Sequence, residues 1–219
     1  LCDDVGLDTI EIGNALGVAM EGGGLDWGDW ERTRSLIDID IAQGTELGKI
    51  VGNGTVYTAN HYGITRIPAV KGQGLPAWEP RTLKGMGITY ATSPQGADHT
   101  AGMVTAREVN AKTLMQQSRH EQLVMMATDS AGLCQFTNAL PSDIAGFIGE
   151  QYGLDYAEED VLASAHEAIK TEISFNHKAG LGPETDTLPS WLYEEPLELP
   201  DGPSTFDLPD ELLAQTWND

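Results

Sequence analysis

Basic residues are scarce in this chain. Its 219 residues include 12 Lys and Arg against 34 Asp and Glu, for a formal charge of −22. Such a surface repels nucleic acid and anionic membranes, so partners of both kinds are excluded; a salt-adapted source and a cationic partner surface both remain open. Cysteine is nearly absent. Cys2 and Cys134 are the two in the chain, far apart, which excludes a secreted disulfide framework and points to a reducing, cytoplasmic setting. Long apolar runs are missing, and no signal peptide is visible, so no membrane-spanning segment is expected. Convincing strand alternation is missing as well. The expected fold is therefore all-α and multihelical.

What is present is a series of short helical patterns separated by glycine. Asp8 stands in N-cap position with Glu11 three residues on, a capping-box spacing, ahead of a helix to about Met20 with Ile12, Ala15, Leu16 and Ala19 on one face. Gly22, Gly23 and Gly24 end it. Helices are expected over 30–42, 47–51 and 55–62, with breaks at Gly44 and Asn53-Gly54. Residues 63–80 read as loop. Pro80 suits the first turn of the next helix, through Leu83, Met86 and Tyr90. Gly85 and Gly87 weaken that helix, which implies close packing or close ligand approach. Residues 93–103 read as a second loop, containing Asp98 and His99. A longer helix is expected over 109–128, another capped by Ser142 through Glu150, and the clearest amphipathic one over 156–176, striped by Val161, Leu162, Ala165, Ala168, Ile169 and Ile173. The segment after Pro183, rich in proline and acid, is expected to wrap the surface, with a last short helix over 210–217.

One six-residue pattern occurs twice: Asp3-Asp4-Val5-Gly6-Leu7-Asp8 and Asp129-Ser130-Ala131-Gly132-Leu133-Cys134, a shared D-x-x-G-L-[D/C]. Glycine permits a tight turn and close approach of backbone to a ligand. An ionised Asp only accepts hydrogen bonds, so it suits a ligand edge rich in N–H donors. A thiolate is a soft ligand for iron–sulfur clusters, zinc or copper. Each copy alone also reads as an Asp-capped turn with an inert cysteine. The pair suggests two jaws on one ligand.

Further segments carry a family resemblance. Lys71-Gly72-Gln73-Gly74-Leu75-Pro76-Ala77-Trp78-Glu79-Pro80-Arg81, then Gly85-Met86-Gly87-Ile88-Thr89-Tyr90-Ala91-Thr92-Ser93, then Gly96-Ala97-Asp98-His99, run in order between the jaws. With Phe175-Asn176 and Leu188-Pro189, they resemble the two helical C-terminal domains of tungsten-dependent aldehyde ferredoxin oxidoreductases, over nearly the whole chain. The resemblance implies residues 1–70 as the end of the middle helical domain and 71–219 as the C-terminal helical domain. It implies a tungsten or molybdenum ion held by dithiolenes of two pterins (tungstopterin or molybdopterin). Asp3 and Asp8 would bind one pterin and Asp129 the other, with main-chain contacts from Leu7 and Leu133. Cys134 would be the fourth ligand of a [4Fe–4S] cluster. His99 matches a histidine near the metal, a candidate proton donor or acceptor to the substrate oxygen.

This sequence also departs from the family pattern. The family's C-x-x-C-x-x-x-C run is not here, and one thiolate cannot hold a [4Fe–4S] cluster. The β-rich domain over the pterins and the glutamate near the metal are not here either. Thr100 and Ala101 stand where a basic residue often follows the histidine. The chain is therefore expected to be the C-terminal piece of a larger enzyme and to bind the cofactor poorly alone. The implied activity is oxidation of aldehydes to carboxylic acids, with electrons passed through the cluster to ferredoxin or a similar acceptor; a homo-oligomer is possible in this class. Two alternatives stand beside it: a related enzyme acting on another carbonyl or an acyl-thioester, and a non-catalytic helical assembly module.

Overall fold

The computed structural model describes residues 1–107 and 110–218. Helix accounts for 58% of the chain and strand for 3%, so the fold is all-α. Helices α1 (Cys2–Val5), α2 (Thr9–Glu21), α3 (Trp30–Ser35), α4 (Glu46–Gly52) and α5 (Thr55–Tyr62) come first. A π-helical turn, Leu36–Ile41, continues α3. Asp40 anchors that turn by accepting from Arg32 Nη1 at 2.5 Å and from Thr45 Oγ1 at 2.8 Å. Ile12, Ala15, Leu16, Ala19, Leu36 and Val51 form the first buried cluster, with half-buried Cys2 and Leu7 at its edge.

The loop expected over 63–80 contains an antiparallel hairpin, β1 (Ala69–Val70) and β2 (Gln73–Gly74). Two residues per strand are too few to show alternation. Lys71, at the hairpin turn, adopts φ 51°, and its buried ammonium donates to Ala91 O and pairs with Asp186 at 2.7 Å. Burial pushes that ammonium below its ordinary value while Asp186 opposes the shift. Arg81 makes a two-pronged bond to Glu79, at 2.9 and 3.0 Å, and donates to Glu195 O. The side chains of Arg66 and Arg81 both lie over the Trp191 ring. The most recognisable charged residues of the 71–81 segment therefore hold the fold together.

Helix α6 is Lys84–Thr92 and α7 is Ala111–Ser130; the expected start at Val109 lies outside the described residues. Pro80 is not in the first turn of α6. It sits four residues earlier, in a turn closed by Leu83 N to Glu79 O. Both glycines of α6 serve packing: a methyl at Gly85 would overlap Val104, and one at Gly87 would overlap Phe206. Helix α8 is Pro141–Tyr152. Its N-cap is Leu140 rather than Ser142, and the Asp143 carboxylate accepts from Leu140 N at 2.9 Å. Helix α9, Glu158–Lys178, buries Val161, Ala165 and Ile169, the first two of them against α7 and α8.

The segment after Pro183 departs most from expectation. Far from wrapping the surface, it completes the largest core. Leu188, Leu192, Phe206, Leu208 and Leu213 pack there with Met86, Ile88 and Tyr90. Short helices α10 (Trp191–Glu194) and α11 (Asp210–Ala214) carry part of this set. The apolar residues are spaced by proline and acid, so no helical or strand period marks them. Phe206 N nonetheless donates to Leu192 O, which fixes the segment as it crosses α6.

Candidate functional site

The two D-x-x-G-L segments fold into the same backbone motif. In the first, Leu7 N donates to Cys2 O and Gly6 N to Asp3 O; in the second, Leu133 N donates to Thr128 O and Gly132 N to Asp129 O. This double bond pattern is a Schellman helix stop with a left-handed glycine. Gly6 has φ 73° and Gly132 φ 71°. Each glycine faces open space where a Cβ would point. The residues that follow match too: Asp8 lies at φ −68°, ψ 132° and Cys134 at φ −77°, ψ 138°. Helix termination thus explains the glycine and the leucine. It does not explain the acid. Asp129 sits in the last turn of α7, where carbonyl dipoles disfavour negative charge, whereas Asp3 lies in the first turn of the four-residue α1, where they do not.

The first jaw opens on a cavity of about 600 Å³. Gly6, Leu7 and Asp8 form one wall, Asn53 and Gly54 a second, and Gly72 and Gln73 of the hairpin a third. Asp8 caps α2 by accepting from Glu11 N at 2.7 Å. Glu11 does not complete the capping box. Its carboxylate instead accepts from Thr55 N and from Gly74 N, both at 2.6 Å. One side chain therefore ties all three walls. A Cβ at Gly54 would fall 2.8 Å from Glu11 Oε1, and one at Gly74 would fall 2.6 Å from Oε2. The spacing from Asp8 had suggested only a cap, so Glu11 escaped notice as a wall-builder. Asn53 and Gly54 had been read as a helix break, and their place in the wall has no local sequence signal.

The second jaw lines different surfaces. Asp129, on α7, faces a small cavity with Gln122, Glu172, Ser93 and Gln95. Burial raises the Asp129 carboxyl above its ordinary value, and the charge of Asp98 adds to this. Leu133 and Cys134 are exposed. The Cys134 turn is held by Thr137, whose amide and hydroxyl both donate to Cys134 O. None of these cavities is lined by residues of both jaws.

His99 begins a short 3₁₀ turn whose N-cap, Asp98, accepts from Thr100 N and Thr100 Oγ1 at 2.8 Å each. Its Nδ1 is buried, has no hydrogen-bond partner and lies 3.7 Å from Asp98 Oδ1. An orphaned ring nitrogen is uncommon inside a protein. Asp98 links His99 to Asp129 electrostatically, so these two belong to one region. Leu7 and Asp8 belong to the other, while Asp3, exposed on α1, is not among the residues that line its cavity.

The chemistry of this set can be set against the cofactor suggested by the sequence. Open glycines beside acceptor-only carboxylates suit a flat heterocycle with N–H donors. For a cluster, Cys134 offers one accessible thiol. Cys2 is half-buried against the first core cluster and cannot supply a second at the same place. Among the described residues, no three of His, Cys, Asp and Glu converge to hold a metal ion.

Comparison with known proteins gives the relationship. The family model described as "Aldehyde ferredoxin oxidoreductase, domains 2 & 3" matches residues 1–217. The chain therefore belongs to the aldehyde ferredoxin oxidoreductase family. It is 30% identical, over 93% of its length, to a tungsten-containing aldehyde ferredoxin oxidoreductase of Pyrococcus furiosus, and 31% identical over 93% to that of Thermococcus kodakarensis. In each case it spans 38% of the relative's length. It is also 30% identical, over 62% of its length, to the WOR-like subunit of an aliphatic sulfonate oxidoreductase of Pyrococcus furiosus.

Proposed function

We propose that this chain supplies one side of a bis-pterin tungsten (or molybdenum) site in an enzyme that oxidises aldehydes to carboxylic acids. The observation that carries this reading is the repeated turn itself, in which Asp3 and Asp129 each stand three residues before a left-handed glycine with open space before it. An acceptor-only carboxylate repeated near such a glycine suits a donor-rich ligand edge. Asp3 and Asp8 hold one pterin, with Leu7 main chain; Asp129 and Leu133 main chain hold the other. Cys134 supplies one thiolate to a [4Fe–4S] cluster whose other three ligands come from outside this chain.

When bound, the metal centre takes up the two electrons released as RCHO and H₂O become RCOOH and two protons. The chain's own part in the chemistry is proton handling and positioning. His99 serves as proton donor or acceptor to the substrate oxygen. Glu11 keeps the hairpin and the Asn53-Gly54 turn at fixed distances from the first jaw. A cluster held in part by Cys134 would supply one-electron transfer to ferredoxin or a similar acceptor, in a cytoplasmic setting. The separate buried clusters of residues 2–62 and 70–213 support a domain division near residue 70.

The test is expression of this chain together with a segment carrying C-x-x-C-x-x-x-C, followed by metal, pterin and iron analysis and aldehyde-dependent dye reduction. Absence of tungsten, molybdenum and pterin would sink the proposal. Cys134→Ser is expected to retain pterin and lose the cluster's electron paramagnetic resonance signal. A second reading, a different substrate at the same site, is favoured by the likeness to the sulfonate oxidoreductase subunit. A substrate panel that includes sulfonates, other carbonyls and acyl-thioesters separates the two.

A further inference from the structure

The hairpin that walls the first cavity carries a disfavoured residue at its turn. Val70 pairs with Gln73, so Lys71 and Gly72 form a two-residue loop, and both have positive φ, 51° and 86°. Such a loop favours Asn-Gly or Asp-Gly, because a left-handed backbone crowds a longer side chain. Lysine at the first position is therefore a local cost, and its side chain supplies the compensation. Only 5% of that side chain is exposed. Its ammonium donates to Ala91 O at 2.5 Å and pairs with Asp186 at 2.7 Å. Ala91 lies in the last turn of α6, where carbonyls lack helical partners.

The same turn touches the loop that leads from α6 to His99. A Cβ at Gly96 would fall 2.5 Å from Val70 O and 3.1 Å from Lys71 Cβ. Gly96 N donates to Ser93 O, and Asp98 N donates to Gly96 O. Asp98 in turn caps the short helical turn that His99 begins. Val70, Ala91 and Ala97 share one buried cluster. Other residues of the hairpin, Gly72 and Gln73, line the first cavity, and Gly74 N donates to Glu11. One turn thus adjoins both the wall of the first cavity and the loop of His99, although no cavity joins the two regions.

We propose that Lys71 is a positioning residue: by clamping the hairpin turn to the end of α6 and to Asp186, it holds the wall of the first cavity and the His99 loop in one fixed relation. Asn or Gly at position 71 would form the turn without joining it to α6. The ammonium makes that join, and its burial leaves little water to replace either partner. Residues that act on a substrate need such support, since their own side chains do not set where their loop lies. The catalytic consequence rests on the reading of His99 as proton donor or acceptor. The clamp itself does not, and its test needs no cofactor.

The experiment is nuclear magnetic resonance of the 219-residue chain carrying Lys71→Asn or Lys71→Gly, both of which keep a residue that accepts positive φ and remove the ammonium. Amide exchange is expected to quicken at least about tenfold at Gly74 and at Gly96, with the His99 ring resonances shifted. Exchange at Ala165, in the separate cluster of α7, α8 and α9, is expected to stay as in the parent. A residue that served the turn alone would leave His99 unmoved, since Asn and Gly make that turn more readily. A residue that served only global stability would quicken Ala165 as much as Gly96. Either result overturns the proposal. Asp186→Asn leaves the turn and the Ala91 bond in place and removes the ammonium's counter-charge, so it carries the test where the Lys71 variants do not fold. It is expected to shift the same resonances by less, and unchanged His99 resonances in it overturn the proposal too. Failure of the cofactor reading, seen in metal and pterin content, would leave these results untouched.

Discussion

At the scale of single residues, the acids decide most of what is distinctive here. Glu11 accepts from two backbone amides 44 and 63 positions away in sequence. Charged acceptors of buried amides contribute more than neutral ones, and leaving the amides unmatched costs the full desolvation. Glu11→Gln puts an NH₂ against one of these N–H groups. It is expected to lose about 2 kcal/mol or more of stability in urea denaturation. Loosened walls should also show as faster amide exchange at Thr55 and Gly74. Glu172 gives a prediction of opposite sign. Burial first, then the Asp129 charge, raise its carboxyl above the ordinary 4.5. A group protonated more readily when folded contributes stability below its ordinary range and loses it as pH rises through the raised value. Glu172→Gln is therefore expected to melt higher than the parent at neutral pH. The gain should vanish well below 4.5, where both side chains are neutral. Equal gains at both pH values would refute this assignment of the shift.

At the scale of elements, helix termination and helix packing account for much of the sequence that looked chemical. The Gly-Leu of each jaw is a Schellman stop, Gly85 and Gly87 admit Val104 and Phe206, and Lys71 and Arg81 pin the hairpin and the loop to the core. The late segment shows the same lesson from the other side. Its prolines and acids made it look superficial, yet Phe206 is fully buried against Gly87. Phe206→Ala is expected to cost about 3–5 kcal/mol, since the void lies between rigid α6 and Tyr193 and cannot close. Thermal or urea unfolding followed by circular dichroism would measure it. A loss below about 1 kcal/mol would mean that the segment is not part of the core. The amphipathic helix over Glu158–Lys178 and the glycine-ended helix from Thr9 were legible because period and stop signals agreed. The hairpin was not, because two-residue strands have no period.

At the scale of the whole molecule, a formal charge of −22 dominates. Like charges at this density oppose compaction, and salt screens them over about 10 Å at 0.1 M. Raising NaCl from about 0.05 to about 0.5 M is expected to raise the melting temperature. A flat response would show that the acids are already paired with counter-ions or cations. Among the described residues, no helix is long and apolar enough to cross a membrane. The sequence by itself determined the helical class, the two jaws and their family, because these rest on local period, glycine stops and motif order, which act within a few residues along the chain. Only the tertiary structure decided what surrounds each jaw: the Glu11 link across three segments, the separate surroundings of Asp8 and Asp129, and a core closed by the last forty residues. Those features depend on contacts between distant positions, and their energies exist only once the chain has folded.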